Sequence, residues 1–469
     1  MVTSADGFTT ASDTAERVRS GATSAESVMR AAFERIHRLN PVYNAFVELR
    51  ETEAMAAARR LDERVAAGES VGRLAGVPVG VKESMWEAGR RATNGSRALA
   101  DFVPDTTLVT IERLLGADAI VVGRTNVPEF CYRGHCCNDL FGCTRNPWDA
   151  GRTPGGSTGG GAAAVAAGMV PVALGSDGGG SLRIPASFCG VIGYKPTFGV
   201  VPRAPGWHGW YSLNHVGPIT AAVEDAVLVM SAIAGPADED PASIPLHSFP
   251  DVWMSRPRAL AGTRVAFSED LGRIRIDPEV RGRFRAAVAL LQREGVMLEA
   301  ADPGIPKSVD LWFELASADN LASEGPLLAS GLVGSDVADL ITAGEGISGA
   351  DYARARNAQH DYSAAWQRFL REYDFFITPT METVAFPVEA RQPEVIDGLP
   401  LQGKEEDWCQ FVYPFNLSGH PAISIPLPVG SGALPIGLQI VAPRFHDAQL
   451  LAFARAVVEA FGGVARPSI

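Results

Sequence analysis

The sequence predicts an α/β protein built on a large mixed, mostly parallel central sheet covered by helices on both faces. Two observations carry that reading. From Thr106 almost to the end of the chain, apolar runs rich in β-branched residues alternate with segments of helical period, the pattern of strands joined by crossover helices. With 469 residues, 46% of them hydrophobic and 20% charged, the chain also has the apolar content to bury a core of that size. No internal repeat or low-complexity tract breaks it up, so residues 1–469 are read as a single domain.

Thr23 to Glu26 (TSAE) reads as a capping box, and Met29, Ala32, Phe33 and Ile36 then recur on one helical face, so a helix is expected to about Asn40, where Pro41 stops it. A second helix runs from Glu51 to about Ala67 and ends at Gly68, which makes residues 1–70 an N-terminal helical segment. Leu74 to Lys82 (LAGVPVGVK) reads as a strand entering the core with a lysine at its end. Leu108 to Leu115 is expected as a helix, Ala119 to Gly123 as a buried strand, and Val170 to Leu174 as another. Further on, helices are expected at Val223 to Gly235, Pro278 to Glu294 and Asp447 to Phe461. Strands are expected at Thr263 to Phe267, Tyr373 to Thr378, Ala422 to Leu427 and Ile436 to Val441. Residues 307–371 are helical without strand signals and are read as a cap or peripheral lobe.

Charge narrows the function. The formal net charge is -13, with 41 Lys and Arg scattered among 54 acidic residues, so neither a nucleic-acid footprint nor binding to an anionic membrane is expected. The start MVTSADGFTTASD has no basic n-region or apolar h-region, and no run reaches the roughly 18 apolar residues that span a bilayer, so the expected location is cytoplasmic. Six cysteines are too few for a disulfide framework in so long a chain, and free thiols are expected. Oligomeric state, monomer or homodimer, is not legible.

The chemistry concentrates between Gly155 and Pro185 (GGSTGGGAAAVAAGMVPVALGSDGGGSLRIP), where two glycine-rich loops each carry a serine. Glycine lets backbone N–H groups approach a ligand closely, but it also marks tight turns and close packing. Three readings compete. A phosphate loop requires a lysine after its last glycine, and Ala162 follows Gly161 instead. A nucleophile elbow fits Gly155 to Gly159 as G-x-S-x-G; it makes Ser157 the nucleophile of an α/β-hydrolase with a histidine triad, His420 being a candidate. The third reading combines Lys82, Ser157 and Ser181. Serine attacks only when a base takes its proton, and a lysine does so only as the neutral amine, the form that burial favours. The run Val77, Val79, Val81 leading into Lys82 is what such burial looks like in sequence.

Around these residues the chain resembles the amidase signature family. GVPVGVKES is similar to the family's catalytic-lysine segment, GGSTGG to its GGSSGG-type loop, and GSDGGGSLRIPASFCGVIGYKPT to its nucleophile block. NVPEF, GCTRNPWD, LNHVGPI, YDFFITPT, PFNLSGHPAISIP and LPIGLQIVAP extend the resemblance over essentially the whole chain, most weakly at 238–252 and 307–371. The resemblance implies the amidase signature fold and a serine amidase that cleaves a carboxamide C–N bond of a linear amide, with an ester, anilide, hydrazide or carbamate as further substrates, and without a cofactor. Ser181 is then the nucleophile, Ser157 the proton relay on a cis peptide bond, and Lys82 the base. Backbone N–H groups of Gly178, Gly179, Gly180 and Ser181 would form the oxyanion hole. Asp177 and Arg183 are read as a pair bracing the loop, and Thr158, where the family has serine or glycine, as a supporting residue.

The segment from Cys131 to Cys143 (CYRGHCCNDLFGC) packs four cysteines and His135 together, but its spacings match no standard zinc finger, and no metal is expected. By the resemblance it lies near the substrate entrance, which makes Cys131 and Tyr132 candidate substrate contacts. Trp207, Trp210 and Tyr211 are further candidates and point to a small-molecule amide with an aryl or bulky apolar group. Two alternatives stand beside this reading. One is the glutaminase-type subunit of a tRNA-dependent amidotransferase; the other is a catalytically dead binding module, which the intact Lys82, Ser157 and Ser181 oppose.

Overall fold

The computed structural model describes residues 9–245, 259–401 and 408–469. Its centre is an 11-stranded sheet. In chain order the strands are β1 (Phe46–Leu49), β2 (Pro78–Lys82), β3 (Ile120–Thr125), β4 (Val172–Asp177), β5 (Ile192–Lys195), β6 (His215–Thr220), β7 (Arg264–Phe267), β8 (Met297–Ala300), β9 (Phe375–Pro379), β10 (Ala422–Pro426) and β11 (Gly437–Val441). Across the sheet they run β1-β3-β2-β4-β6-β5-β10-β11-β9-β7-β8. The expected mixed sheet and its helical cover are therefore present.

The expected balance of directions needs correction. The pairs β3–β2, β2–β4, β9–β7 and β7–β8 are parallel. The pairs β1–β3, β4–β6, β6–β5, β5–β10, β10–β11 and β11–β9 are antiparallel, so the sheet is mostly antiparallel. The physical reason is local. The helix Arg183–Cys189 does make β4 and β5 parallel to each other, but β6 returns and inserts between them, antiparallel to both. The strands β10 and β11 follow one another without a helix and pair directly. Glycine and proline dilute the apolar pattern of β5 and β6 and hide both strands from the sequence. Gly193 and Gly217 mark close approach of backbones: an added Cβ would lie 2.3 Å from the Leu182 carbonyl oxygen and 2.2 Å from that of Tyr194, respectively.

Helices pack on the sheet through three apolar clusters, one of which sets Ala266, Phe376, Ala422 and Val441 against the helices Val309–Glu324 and Gly349–Phe369. A second joins Val79, Val81, Leu174 and Ile192 to the helices Val223–Ile233 and Asp447–Ala460. The third joins Val122 and Ala173 to the helices Ala25–Tyr43, Glu51–Ala66 and Gly159–Ala166. The first of these helices passes through Pro41 rather than stopping there, because the proline sits in the last turn; the chain leaves at left-handed Asn44, whose amide returns to Asn40 O at 2.8 Å. Its cap is Ser24, which accepts from Ser27 N at 3.0 Å, one residue later than the Thr23 box implied. The N-terminal region also contributes β1, so it is not purely helical. Residues 309–369 are helical throughout their regular elements, and the longest of these, Gly349–Phe369, is capped by Ser348 with Asp351. Among the described residues no helix is long and apolar enough to cross a membrane.

Candidate active site

The site lies beyond the carboxyl ends of the parallel strands β2 and β4, where open α/β sheets leave a crevice. Lys82 is the last residue of β2 and is fully buried. Its Nζ donates to Ser157 Oγ at 2.8 Å and to Ser176 Oγ at 2.9 Å, and among the described residues no carboxylate pairs with it. Ser157 follows a cis peptide bond from Gly156 and precedes the buried helix Gly159–Ala166. Only glycine fits at position 156, because an added Cβ would lie 2.0 Å from the His135 carbonyl oxygen. The glycines that open the helix answer to packing as well: a Cβ at Gly159 would lie 2.5 Å from Cys136 Cβ, and one at Gly160 would lie 2.3 Å from Asn126 N.

Ser181 sits in the turn between β4 and the helix Arg183–Cys189 and is 9% exposed. The turn is shaped from beneath by a buried ion pair. Arg183 Nε and Nη2 donate to Asp177 Oδ2 and Oδ1 at 2.9 and 3.0 Å, with both side chains inaccessible to solvent. Burial alone would raise the Asp177 carboxyl, but the charge and hydrogen bonds of Arg183, with Lys195 and Asn416, hold it below the usual carboxylate range. Asp177 in turn accepts from Gly180 N at 2.7 Å and Leu182 N at 3.2 Å, so it grips the backbone on both sides of Ser181. This corrects one expected oxyanion donor: the Gly180 amide is committed to Asp177. The amides of Gly178, Gly179 and Ser181 have no partner among the described residues.

Thr158 ties the two loops together. Its amide donates to Ser181 O and its Oγ1 to Ser176 O, each at 3.2 Å, so it braces the residue that contacts Lys82 rather than Lys82 itself. Its methyl occupies space that β4 leaves free, since a Cβ at Gly175 would lie 2.4 Å from Thr158 Cγ2.

The histidine-triad alternative finds no geometry here. The His420 ring faces Gln367 Oε1 at 3.2 Å, and burial, with the charges of Arg444 and Lys195, pushes its pKa down to about 3. The hydroxyl of Ser157 is paired instead with Lys82. Among the described residues no histidine is hydrogen-bonded to Ser157 or Ser181.

Ser157, Ser176, Gly178 and Ser181 all border an open cleft. Trp207 and Trp210 line it as expected, and so do Cys131 and Tyr132. Trp207 packs in an aromatic cluster with Trp86 and Phe102, its Nε1 donating to Ser84 O at 2.7 Å. Tyr211 does not line the cleft: it is 53% exposed, with Arg203 stacked over its ring at 5.2 Å. The expectation of free thiols is also corrected. Cys137 and Cys143 face each other across a short ribbon, Cα atoms 4.0 Å apart, and form a disulfide, whereas Cys131, Cys136, Cys189 and Cys409 are thiols.

Several site residues escaped sequence reasoning. Ser176 stands in the quoted nucleophile block, Asn416 in PFNLSGHP and Gln439 in LPIGLQIVAP, so the blocks contained them without revealing their roles. Trp312, Asn320 and Glu324 come from the helix Val309–Glu324, in the stretch of weakest resemblance, and no sequence signal pointed to them.

Comparison with known proteins gives consistent results. The family model described as Amidase matches residues 27–451. An acylamidase of Rhodococcus erythropolis is 36% identical over 447 residues, covering 94% of this chain and 93% of the relative. The crystal structure of a bacterial aryl acylamidase of the amidase signature enzymes superposes with a TM-score of 0.89 at 29% identity, covering 97% of this chain and 96% of the other. One component of the glutamyl-tRNA(Gln) amidotransferase of Thermotoga maritima superposes with a TM-score of 0.78 at 30% identity, covering 95% of each chain.

Proposed function

The chain belongs to the amidase signature family and cleaves amide C–N bonds, and from that premise we propose that it works through an acyl-enzyme on Ser181, with Ser157 as proton relay and Lys82 as base. The observation that carries the reading is the buried Lys82 Nζ held 2.8 Å from Ser157 Oγ at the foot of a cleft that also exposes Ser181. In its neutral form Lys82 takes the Ser157 proton, Ser157 takes the Ser181 proton, and Ser181 Oγ adds to the amide carbonyl carbon. The resulting oxyanion is met by the amides of Gly178, Gly179 and Ser181. The proton then returns through Ser157 Oγ to the leaving nitrogen, the C–N bond breaks, and the amine departs. Water adds to the ester by the same relay and releases the carboxylic acid. No step calls on a metal or cofactor.

The substrate we infer is a small-molecule amide with an aryl or bulky apolar group, given the rings of Trp86, Phe130, Trp207 and Trp210 that line the cleft and the likeness to an aryl acylamidase. A second reading, the glutaminase-type subunit of a tRNA-dependent amidotransferase, rests on the likeness to the Thermotoga maritima protein. It is less well supported, since that superposition reaches a TM-score of 0.78 against 0.89. The purified chain separates them: hydrolysis of simple anilides without partner proteins or tRNA supports the amidase, and hydrolysis only on adding partners supports the amidotransferase component. For the mechanism, a Ser181→Ala variant that retains full amide hydrolysis sinks the proposal.

A further inference from the structure

Ser181 borders two cavities. Besides the cleft there is a second, smaller chamber, walled by Ile184, Trp312, Phe313, Ala316, Leu340 and Tyr413. The two share Cys131, Tyr132, Trp210 and Ser181. The rings of Tyr132 and Trp210 are parallel, 3° apart in plane with centroids separated by 5.7 Å, and they form a partition with Ser181 at its foot. Two anchors on the helix Val309–Glu324 fix that partition: Trp210 Nε1 donates to Asn320 Oδ1 at 2.6 Å, and the Tyr132 hydroxyl donates to Glu324. Ser157 and Ser176 line the cleft, whereas the chamber is bordered by Gly179 and Ser181 without them.

Proton delivery gives each side its role. Collapse of the tetrahedral intermediate needs a proton on the departing nitrogen, and the donor is the hydroxyl paired with Lys82, which lines the cleft and not the chamber. The amine half of the substrate must therefore lie in the cleft. The acyl substituent leaves the carbonyl carbon in a different direction, and the space on the other side of Ser181 is the chamber. The geometry points to the chamber as the acyl pocket, with Trp312, Phe313, Ala316 and Tyr413 setting specificity for flat, uncharged acyl groups. Trp312 and Tyr413 stack at 4.5 Å and crowd Gly179, where an added Cβ would lie 2.7 Å from the Trp312 ring; this favours a planar group. Among the described residues that wall the chamber, the one charged side chain is Arg133, and it is turned to Asp336. The cleft instead offers Arg203, His208 and Glu324 to the amine half. This assignment rests on the Ser181–Ser157–Lys82 reading.

Two substrate series test it. The 4-nitroanilides of acetic and benzoic acids vary the acyl group at constant amine, and acetamide, N-methylacetamide and 4-nitroacetanilide vary the amine at constant acyl group. Ala316→Phe, which fills the chamber, should lower the benzoyl-to-acetyl ratio of kcat/KM by about tenfold or more and leave the ratios of kcat/KM within the amine series the same to about twofold. Phe313→Ala should raise the benzoyl-to-acetyl ratio and serves if Ala316→Phe does not fold. Trp207→Ala should alter the amine series alone. If the chamber variants change the amine series and spare the acyl series, the assignment is overturned. Mass mapping of the trapped acyl adduct distinguishes the two levels: an adduct on Ser181 with exchanged ratios sinks the pocket assignment only, and an adduct on Ser157 takes the underlying mechanism with it.

Discussion

The pair Asp177–Arg183 should behave as an electrostatic unit that holds the turn around Ser181 in place, and a double-mutant cycle can measure this. Arg183 donates five hydrogen bonds from full burial: to both carboxylate oxygens of Asp177, to Val412 O, to Gln439 Oε1 and to Asn416 Oδ1. Arg183→Met leaves the Asp177 carboxylate buried without its cation, at a cost of about 3–5 kcal/mol. Asp177→Asn strands the guanidinium and should cost a similar amount, although Asn keeps one oxygen for the Gly180 amide. Independent effects would sum to about 6–10 kcal/mol, but the double variant contains neither stranded charge and should fall short of that sum by at least about 2 kcal/mol. Urea unfolding followed by circular dichroism gives the four stabilities. Because Asp177 also grips the Gly180 and Leu182 amides around Ser181, Arg183→Met should lower kcat more than it raises KM. Additivity within about 0.5 kcal/mol would refute the coupling.

Two further outcomes are expected. Ser176→Ala removes the second hydroxyl on Lys82 and should lower kcat by about ten- to a hundredfold with KM nearly unchanged, because Lys82 becomes charged as it takes the proton and a hydrogen bond to a charged group is worth about 1.5–3 kcal/mol; steady-state kinetics on one anilide decides, and an unchanged kcat counts against the support role. Asp225 is buried and accepts from Ser12 N and Oγ at 2.9 and 3.0 Å, and burial raises its pKa from 3.8 to about 6. The folded state thus binds this proton more tightly than the unfolded chain. Its contribution to stability is complete below pH about 4 and is lost as pH rises through about 6, a swing of about 3 kcal/mol. Asp225→Asn should therefore gain that much relative to the parent protein between pH 4 and pH 8, whereas urea midpoints that shift in parallel would contradict it.

What was legible in the sequence was what local pattern specifies. The presence of the helices, the strand carrying Lys82 and the order Lys82, Ser157, Ser181 followed from periodicity and motif blocks, although the first long helix is capped one residue later than expected and runs past Pro41. Strand direction did not, because it depends on which later strand inserts between two earlier ones, and β6 arrives from His215 to pair between β4 and β5. The disulfide was hidden for a similar reason: only the ribbon register sets Cys137 opposite Cys143. At the site, glycine richness suggested exposed amides, and in the first loop it serves packing against His135, Cys136 and Asn126. In the second loop it supplies amides, but one of the four expected is taken by Asp177. Tyr211 shared the aromatic run of Trp207 and Trp210, yet a single turn sends it outward beneath Arg203. The walls of the second chamber come from the helix Val309–Glu324, from the segment around Val412 and from Cys131–Tyr132, an assembly that no single stretch of sequence discloses.

The central claim is that Ser181 attacks while Ser157 only relays protons to Lys82. A fluorophosphonate, which phosphonylates an activated serine, followed by peptide mapping, tests it most directly. The adduct should fall on Ser181 alone and should be lost in Lys82→Ala, with the protein still folded. An adduct on Ser157, or labelling of Ser181 at the full rate without Lys82, would contradict the account.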